Sequence, residues 1–114
     1  MFRLFLGLVA TLAPAWAEVT ASISGKVADV TGTPVAGATI TARSLDTGVT
    51  RAATTDDGGN FRILALPLGG QEVTAEKAGF KAVVRQGINL EVGQEGVVNL
   101  RLEVGDFVQQ VTVT

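Results

Sequence analysis

Apolar and polar residues alternate along short segments that are separated by glycine-bearing turns, and this pattern restricts the chain to extended strands. Turn signals stand at Thr31-Gly32-Thr33-Pro34, Asp46-Thr47-Gly48, Asp56-Asp57-Gly58-Gly59, Pro67-Leu68-Gly69-Gly70, Ala78-Gly79 and Gly93-Gln94-Glu95-Gly96, recurring roughly every ten to fifteen residues. No segment repeats with the helical period. Seven short strands fit between these turns. Ile23, Gly25 and Val27 share one face of the first, and Ala38, Ile40 and Ala42 one face of the second. The third, Val49 to Thr55, has no apolar face and reads as an edge. Phe61 and Ile63, then Val73 and Ala75, then Ile88, Leu90 and Val92 are expected to point inward. The last strand alternates most clearly, with Val98, Leu100, Leu102 and Val104 against Val97, Asn99, Arg101 and Glu103. Gly87 marks a bulge or bend in the sixth strand. One apolar face per strand predicts an all-β, seven-stranded antiparallel β-sandwich, because a single open sheet would leave that face in water.

The N-terminus follows a different logic. One cation in Met1, Phe2, Arg3 precedes the apolar run Leu4 to Ala13 and the sequence Pro14, Ala15, Trp16, Ala17. That is the form of a secretory signal peptide, too short in its apolar part for the ~20 residues of a membrane-spanning helix and broken by Pro14. Cleavage is expected between Ala17 and Glu18. The chain therefore divides into a signal peptide (1–17), a sandwich (18–104) and an extended C-terminal connector (105–114), with no membrane span in the mature chain. An exported chain with Cys 0 has no disulfide, so the fold depends on its core and its sheet hydrogen bonds.

Composition removes most chemistry. With His 0, Cys 0 and Tyr 0, the chain has no imidazole or thiolate for a triad or a zinc site. Nine Lys and Arg against eleven Asp and Glu give a net charge of −2, which leaves no basic footprint for nucleic acid. Asp56-Asp57-Gly58-Gly59-Asn60 reads as a turn whose carboxylates accept backbone bonds and whose glycines take positive φ. A calcium loop would need further oxygen ligands where Ile63 to Pro67 stand. Glu72 and Glu76 flank Thr74 on a solvent face and read as solvated strand charges, not an acid–base pair. No catalytic, metal or cofactor residues are assigned.

The succession Ile23-Ser24-Gly25-Lys26-Val27, Thr33-Pro34-Val35-Ala36-Gly37-Ala38-Thr39-Ile40, Thr55-Asp56-Asp57-Gly58-Gly59-Asn60-Phe61, Leu66-Pro67-Leu68-Gly69 and Val73 to Phe80 resembles the carboxypeptidase regulatory-like domain. The resemblance implies a transthyretin-like sandwich. Gln71 stands where the family pattern favours an aromatic residue, and is expected to weaken packing near the Pro67 turn. The tail Leu102 to Thr114, with Glu103-Val104-Gly105 and Val111-Thr112-Val113-Thr114, resembles the junction at which such a domain meets the plug of a TonB-dependent outer-membrane receptor. This implies an exported, non-catalytic module of a Gram-negative periplasm or outer membrane, with a protein partner or a downstream receptor domain. A urate-pathway hydrolase among related folds relies on histidines, which this chain lacks. Related sandwiches also bind carbohydrate, which makes a polysaccharide the alternative partner, with Phe80 as the best contact. Other relatives join a lysine on the first strand to an asparagine on the last, but Lys26 and Asn99 fall on the solvent-facing parity, where such a bond lacks its apolar setting. In the tail, Phe107, Val111 and Val113 lie on one side of an extended run and are the candidate docking residues.

The exported protein should begin at Glu18 by intact mass. Because Trp16 leaves with the signal and no Tyr exists, it should show almost no near-ultraviolet indole or phenol absorbance. A retained tryptophan signal in the exported form would overturn the assignment.

Overall fold

A computed structural model describes residues 20–105 and 110–113. Ala17, Glu18 and Phe107 lie outside them. Nine strands occur among the described residues: β1 (Ala21–Asp29), β2 (Thr39–Ser44), β3 (Thr50–Thr54), β4 (Asn60–Leu66), β5 (Gly69–Glu76), β6 (Ala82–Leu90), β7 (Glu95–Val97), β8 (Leu100–Leu102) and β9 (Gln110–Val113). One sheet has the order β4-β1-β7, with β8 following β7 along β1; the other has the order β3-β2-β5-β6-β9. No helix among these residues is long and apolar enough to cross a membrane.

The two sheets enclose one core, in which Ile23, Val27, Ile40, Phe61, Ile63, Leu66, Val73, Val83, Leu90, Val98, Leu100 and Leu102 are buried. Alternation placed these side chains correctly except Leu66 and Val83, which it did not assign, and β3 is an edge strand as expected. At roughly 25 cal/mol per Å² of apolar surface buried, this shared core is the main stabilising contribution in a chain without disulfides.

Strand count and direction depart from the sequence reading. β1 pairs antiparallel with β4 but parallel with β7 and β8, and β6 pairs parallel with β9. The single last strand expected from Val97 to Val104 is two strands. Val98 turns inward between them, donating its N–H to the Ser24 carbonyl at 2.8 Å. Its carbonyl lies so close over Gly25 that a Cβ there would run into the Val98 carbonyl oxygen and the Phe61 ring. Glycine at position 25 thus makes the passage of β7 into β8 possible.

Parity failed wherever a strand had already ended. Val92 is 65% exposed because it follows β6, in a turn closed by the Gln94 N–H on the Glu91 carbonyl at 3.0 Å. Val104 is 75% exposed because β8 stops at Leu102, after which Val104 only bridges Phe80. Gln71 does not loosen the Pro67 turn as expected. It is fully buried, its Nε2 donates to the Pro67 carbonyl at 2.8 Å, and only its Oε1 lacks a partner. The connector also differs: Gln110 to Val113 is not unpaired but lies along Ala82 to Arg85 of β6.

Two bulges shape the edges. Between the pairs Gln71↔Ile88 and Val73↔Arg85, β6 carries one extra residue, and Gly87 takes φ 82° there, which is the expected bulge. Between Ala21↔Leu66 and Ile23↔Ile63, β4 carries another, with Ala65 at φ 59°. The Ala65 carbonyl accepts the Arg51 Nε at 2.9 Å, so β3 reaches across to the rim of the first sheet and covers part of its edge.

Gly25→Ala should cost about 3 kcal/mol or more by denaturant unfolding, since backbone and not a flexible side chain must yield. Leu100→Ala should cost roughly 2 to 5 kcal/mol, against less than about 0.5 for the exposed Arg101→Ala. Equal effects at Leu100 and Arg101 would refute the register.

Candidate functional site

Among the described residues, an open groove of about 610 Å³ runs from the β3 edge over β4 and β1. Ser24, Lys26, Thr54, Asp56, Asn60, Arg62 and Asn99 supply its polar lining, with Gly25, Ala53 and Phe61 beside them. A cleft of about 300 Å³ next to it shares Lys26 and Asn99 and adds Ala28, Leu100 and Arg101. Strand pitch brings these groups together: Ser24 stands opposite Arg62 and Lys26 opposite Asn60 on the β1–β4 pair, while β8 continues along the other side of β1.

Three of these seven polar side chains, those of Asn99, Asp56 and Arg62, are engaged. At the break between β7 and β8, the Asn99 Oδ1 accepts the Lys26 backbone N–H at 3.1 Å and stands in for a missing ladder carbonyl. The Asn99 carbonyl, freed from β1, accepts the Arg85 Nη2 from the opposite sheet at 3.0 Å. The Asp56 Oδ1 accepts the N–H groups of Gly58 and Asn60, each at 2.9 Å, and the Gly59 N–H closes the turn on the Asp56 carbonyl at 2.9 Å. Only Gly59 of the two glycines takes positive φ, at 78°, which corrects the expectation for Gly58. Arg62 meets Glu95 at 3.1 Å on the exposed face, a pair worth little in water.

A second carboxylate turn follows β1. The Asp29 Oδ1 accepts the Thr31 hydroxyl at 2.6 Å and the N–H groups of Thr31 and Thr33 at 2.9 and 3.0 Å. The Thr31 hydroxyl, ahead of the backbone donors, holds the Asp29 carboxyl below the ordinary carboxylate value.

The other candidates resolve individually. Phe80 is half-buried against the core, and its N–H donates to the Lys77 carbonyl at 3.0 Å. Phe61 is buried. Lys26 is exposed and its backbone, not its side chain, meets Asn99. Glu72 pairs with Arg43 at 3.9 Å and accepts the Gln86 Nε2 at 3.0 Å, while Glu76 is exposed. Val111 pairs with Val83 through the backbone, and Val113 is 37% exposed. Alternation puts Ser24, Lys26, Arg62 and Asn99 on solvent-facing positions without joining them. The parallel pairing of β1 with β8, which brings Asn99 beside Lys26, has no local signal.

A profile described as the carboxypeptidase regulatory-like domain matches residues 22–103. The structural protein 27 of a virus (isolate Australia/Victoria) is 40% identical over 65 residues, 57% of this chain and 12% of that protein. A Bacteroides uniformis protein provisionally described as carbohydrate-binding superposes with a TM-score of 0.58 at 20% identity, covering 73% of this chain and 41% of that one. A Pseudomonas aeruginosa protein of the same provisional description gives 0.54 at 15% identity, over 75% of this chain and 90% of the other. These structural likenesses concern the fold. The chain spans only a small part of the viral relative and less than half of the Bacteroides protein.

Asn99→Ala, which removes the substitute acceptor for the Lys26 N–H, should lower stability by about 1 kcal/mol, whereas Lys26→Ala should stay within about 0.5. Denaturant titration of both variants decides this, and the reverse order would mean that the lysine side chain is the structural partner.

Proposed function

The chain belongs to the carboxypeptidase regulatory-like domain family, and from that premise we propose that it serves as a non-catalytic, exported β-sandwich that spaces, orients or docks another protein domain. One observation supports this reading: in the open groove, the side chains of Asn99 and Asp56 serve a ladder break and a turn, and Arg62 meets Glu95 on the exposed face. The setting is the periplasm or the outer membrane of a Gram-negative bacterium. There the module acts as the N-terminal domain of a TonB-dependent receptor, or as a relative of that domain; the tail Leu102 to Thr114 supports this context.

Carbohydrate binding is the second reading. It is supported by the two structural neighbours provisionally described as carbohydrate-binding and by the amide and hydroxyl groups of the open groove. The groove presents no ring face for a sugar to stack on, so any such binding would rest on hydrogen bonds exchanged with water, and would be weak.

Affinity electrophoresis against a polysaccharide panel and capture of envelope proteins by the immobilised mature chain separate the two. Retention of a defined envelope protein without retardation by any polysaccharide is the expected outcome. Retardation that is lost on Asn60→Ala together with Arg62→Ala would establish the glycan reading instead.

A further inference from the structure

The outer face of the smaller sheet carries three cations in a set pattern. Arg62 on β4 stands level with Ser24 of β1, Arg101 on β8 stands level with Ala28, and Lys26 lies midway between those two levels. Because β4 and β8 flank β1 on opposite sides, Arg62, Lys26 and Arg101 fall on one diagonal, with neighbours roughly 8 Å apart. All three are exposed, and Lys26 lines both the groove and the cleft beside it. The same face bears two bare aliphatic side chains: Leu64 on β4, 58% exposed, and Val97 on β7, level with Ser24 and 70% exposed.

Intramolecular partners are unevenly distributed over these cations. Among the described residues the ion pairs are Arg43 with Glu72, on the larger sheet, and Arg62 with Glu95. Lys26 and Arg101 enter neither. Asp29 and Asp56, the acids of the adjoining turns, each give an oxygen to N–H groups of their own turn, and Glu103, two residues beyond Arg101, is in neither ion pair. Two cations are thus left without a carboxylate on a chain whose net charge is −2. Such a chain does not gather polyanions from a distance, so the ligand for these two groups is an anion met at close quarters. The neighbouring side chains decide its class. A sugar would want a ring face and a phosphate backbone a wider cationic field, whereas Leu64 and Val97 offer an aliphatic contact that a polypeptide fills while presenting carboxylates to Lys26 and Arg101. In an extended segment the side chains of one side recur roughly every 7 Å, close to the spacing of the diagonal.

We propose that the outer face of the smaller sheet is the docking surface of the module, and that its occupant is an extended acidic segment of a partner protein, with carboxylates on alternate residues at Lys26 and Arg101 and an apolar side chain toward Leu64 and Val97. The inference rests on the docking role proposed above and names its surface and the chemistry of its partner. Lys26 is the central contact, and Arg62, already paired with Glu95, is peripheral. Lys26 and Arg101 are exposed and lie outside the core, so their replacement reads docking without unfolding the chain.

The probe is a fluorescent peptide of alternating sequence, with one leucine and two glutamates on one side and serines on the other, compared with the same peptide carrying glutamine in place of glutamate. Anisotropy titration with the exported chain should give several-fold tighter binding of the glutamate peptide, by a margin that shrinks as salt is raised. Equal binding of the two peptides, or binding of neither, overturns the proposal. Lys26→Gln and Arg101→Gln should each weaken the glutamate peptide several-fold, whereas Arg43→Gln on the larger sheet should leave it unchanged. An equal loss with Arg43→Gln would show diffuse charge attraction and refute the site. Amide shifts in the nuclear magnetic resonance spectrum should gather on β1, β4, β7 and β8; shifts confined to β2 and β5 are refuting. The docking role is judged separately, by capture of envelope proteins on the wild-type chain and on the chain carrying Lys26→Gln with Arg101→Gln. Retention lost in the doubly substituted chain supports the surface. Retention by both chains overturns the surface and spares the docking role, and retention by neither overturns the docking role itself.

Discussion

The approach of the Val98 carbonyl to Gly25 is the contact on which the sandwich depends. β1 is the spine of the smaller sheet, flanked by β4 on one side and by β7 and then β8 on the other. The flanking chain changes from one strand to the next by bending toward the core, and there is room for that bend only where β1 has no side chain. Once it is made, three hydrogen bonds hold it. The Val98 N–H reaches the Ser24 carbonyl, the Asn99 Oδ1 receives the Lys26 N–H, and the Asn99 carbonyl receives Arg85 from the other sheet. The break in one ladder thereby becomes a tie between two sheets, which matters in a chain with neither disulfide nor thiol.

The turn motifs are a second set of ties. Thr55, buried at 4% exposure, donates its hydroxyl to the Val35 carbonyl at 2.7 Å and accepts the Ala38 N–H at 2.8 Å, so the segment before β2 is fastened to the segment before β4. A Cβ on Gly59 would meet the Val27 carbonyl and lie 3.3 Å from Pro34. The Gly59 carbonyl receives the Val27 N–H, and the Val27 carbonyl receives the Val35 N–H. The Thr33–Ile40 and Thr55–Phe61 motifs are thus two halves of one hydrogen-bonded end of the sandwich. Each is weak evidence alone, but their joint order along the chain carries structural meaning, since neither half is satisfied without the other.

Much of this was legible from period and turn chemistry. Alternation identified Ile23, Val27, Phe61, Ile63, Leu100 and Leu102 as core, and Gly87 as a bulge, because those signals are local. Val92 and Val104 show where that signal ends: alternation persists for a residue or two after pairing has stopped, and parity without a ladder buries nothing. Gln71 shows a different limit. Its polarity argued for poor packing, yet the free carbonyl of Pro67 gives its amide nitrogen a partner inside the turn, a fit invisible until the turn is folded. The candidate groove was legible only in part. Ser24, Lys26, Arg62 and Asn99 fell on solvent-facing positions, but their adjacency depends on parallel pairing between residues some seventy positions apart, as with Lys26 and Asn99.

Direction also decides what such a module can do. β1 and β8 run parallel, so the segment that leads into β1 and the segment that leaves β8 lie at opposite ends of the sandwich. A domain linked through those two ends holds its neighbours apart by its own length, which suits a spacing role and requires no chemistry from the groove. β9 reverses this arrangement, because it runs with β6, and β6 is antiparallel to the chain at Val104. With β9 on its own sheet, Gln110 to Val113 runs back toward the end at which β1 begins. The β6 edge thus sets both the outline of the domain and the direction in which anything joined to it points, and the polar groove on the opposite rim has no part in that choice.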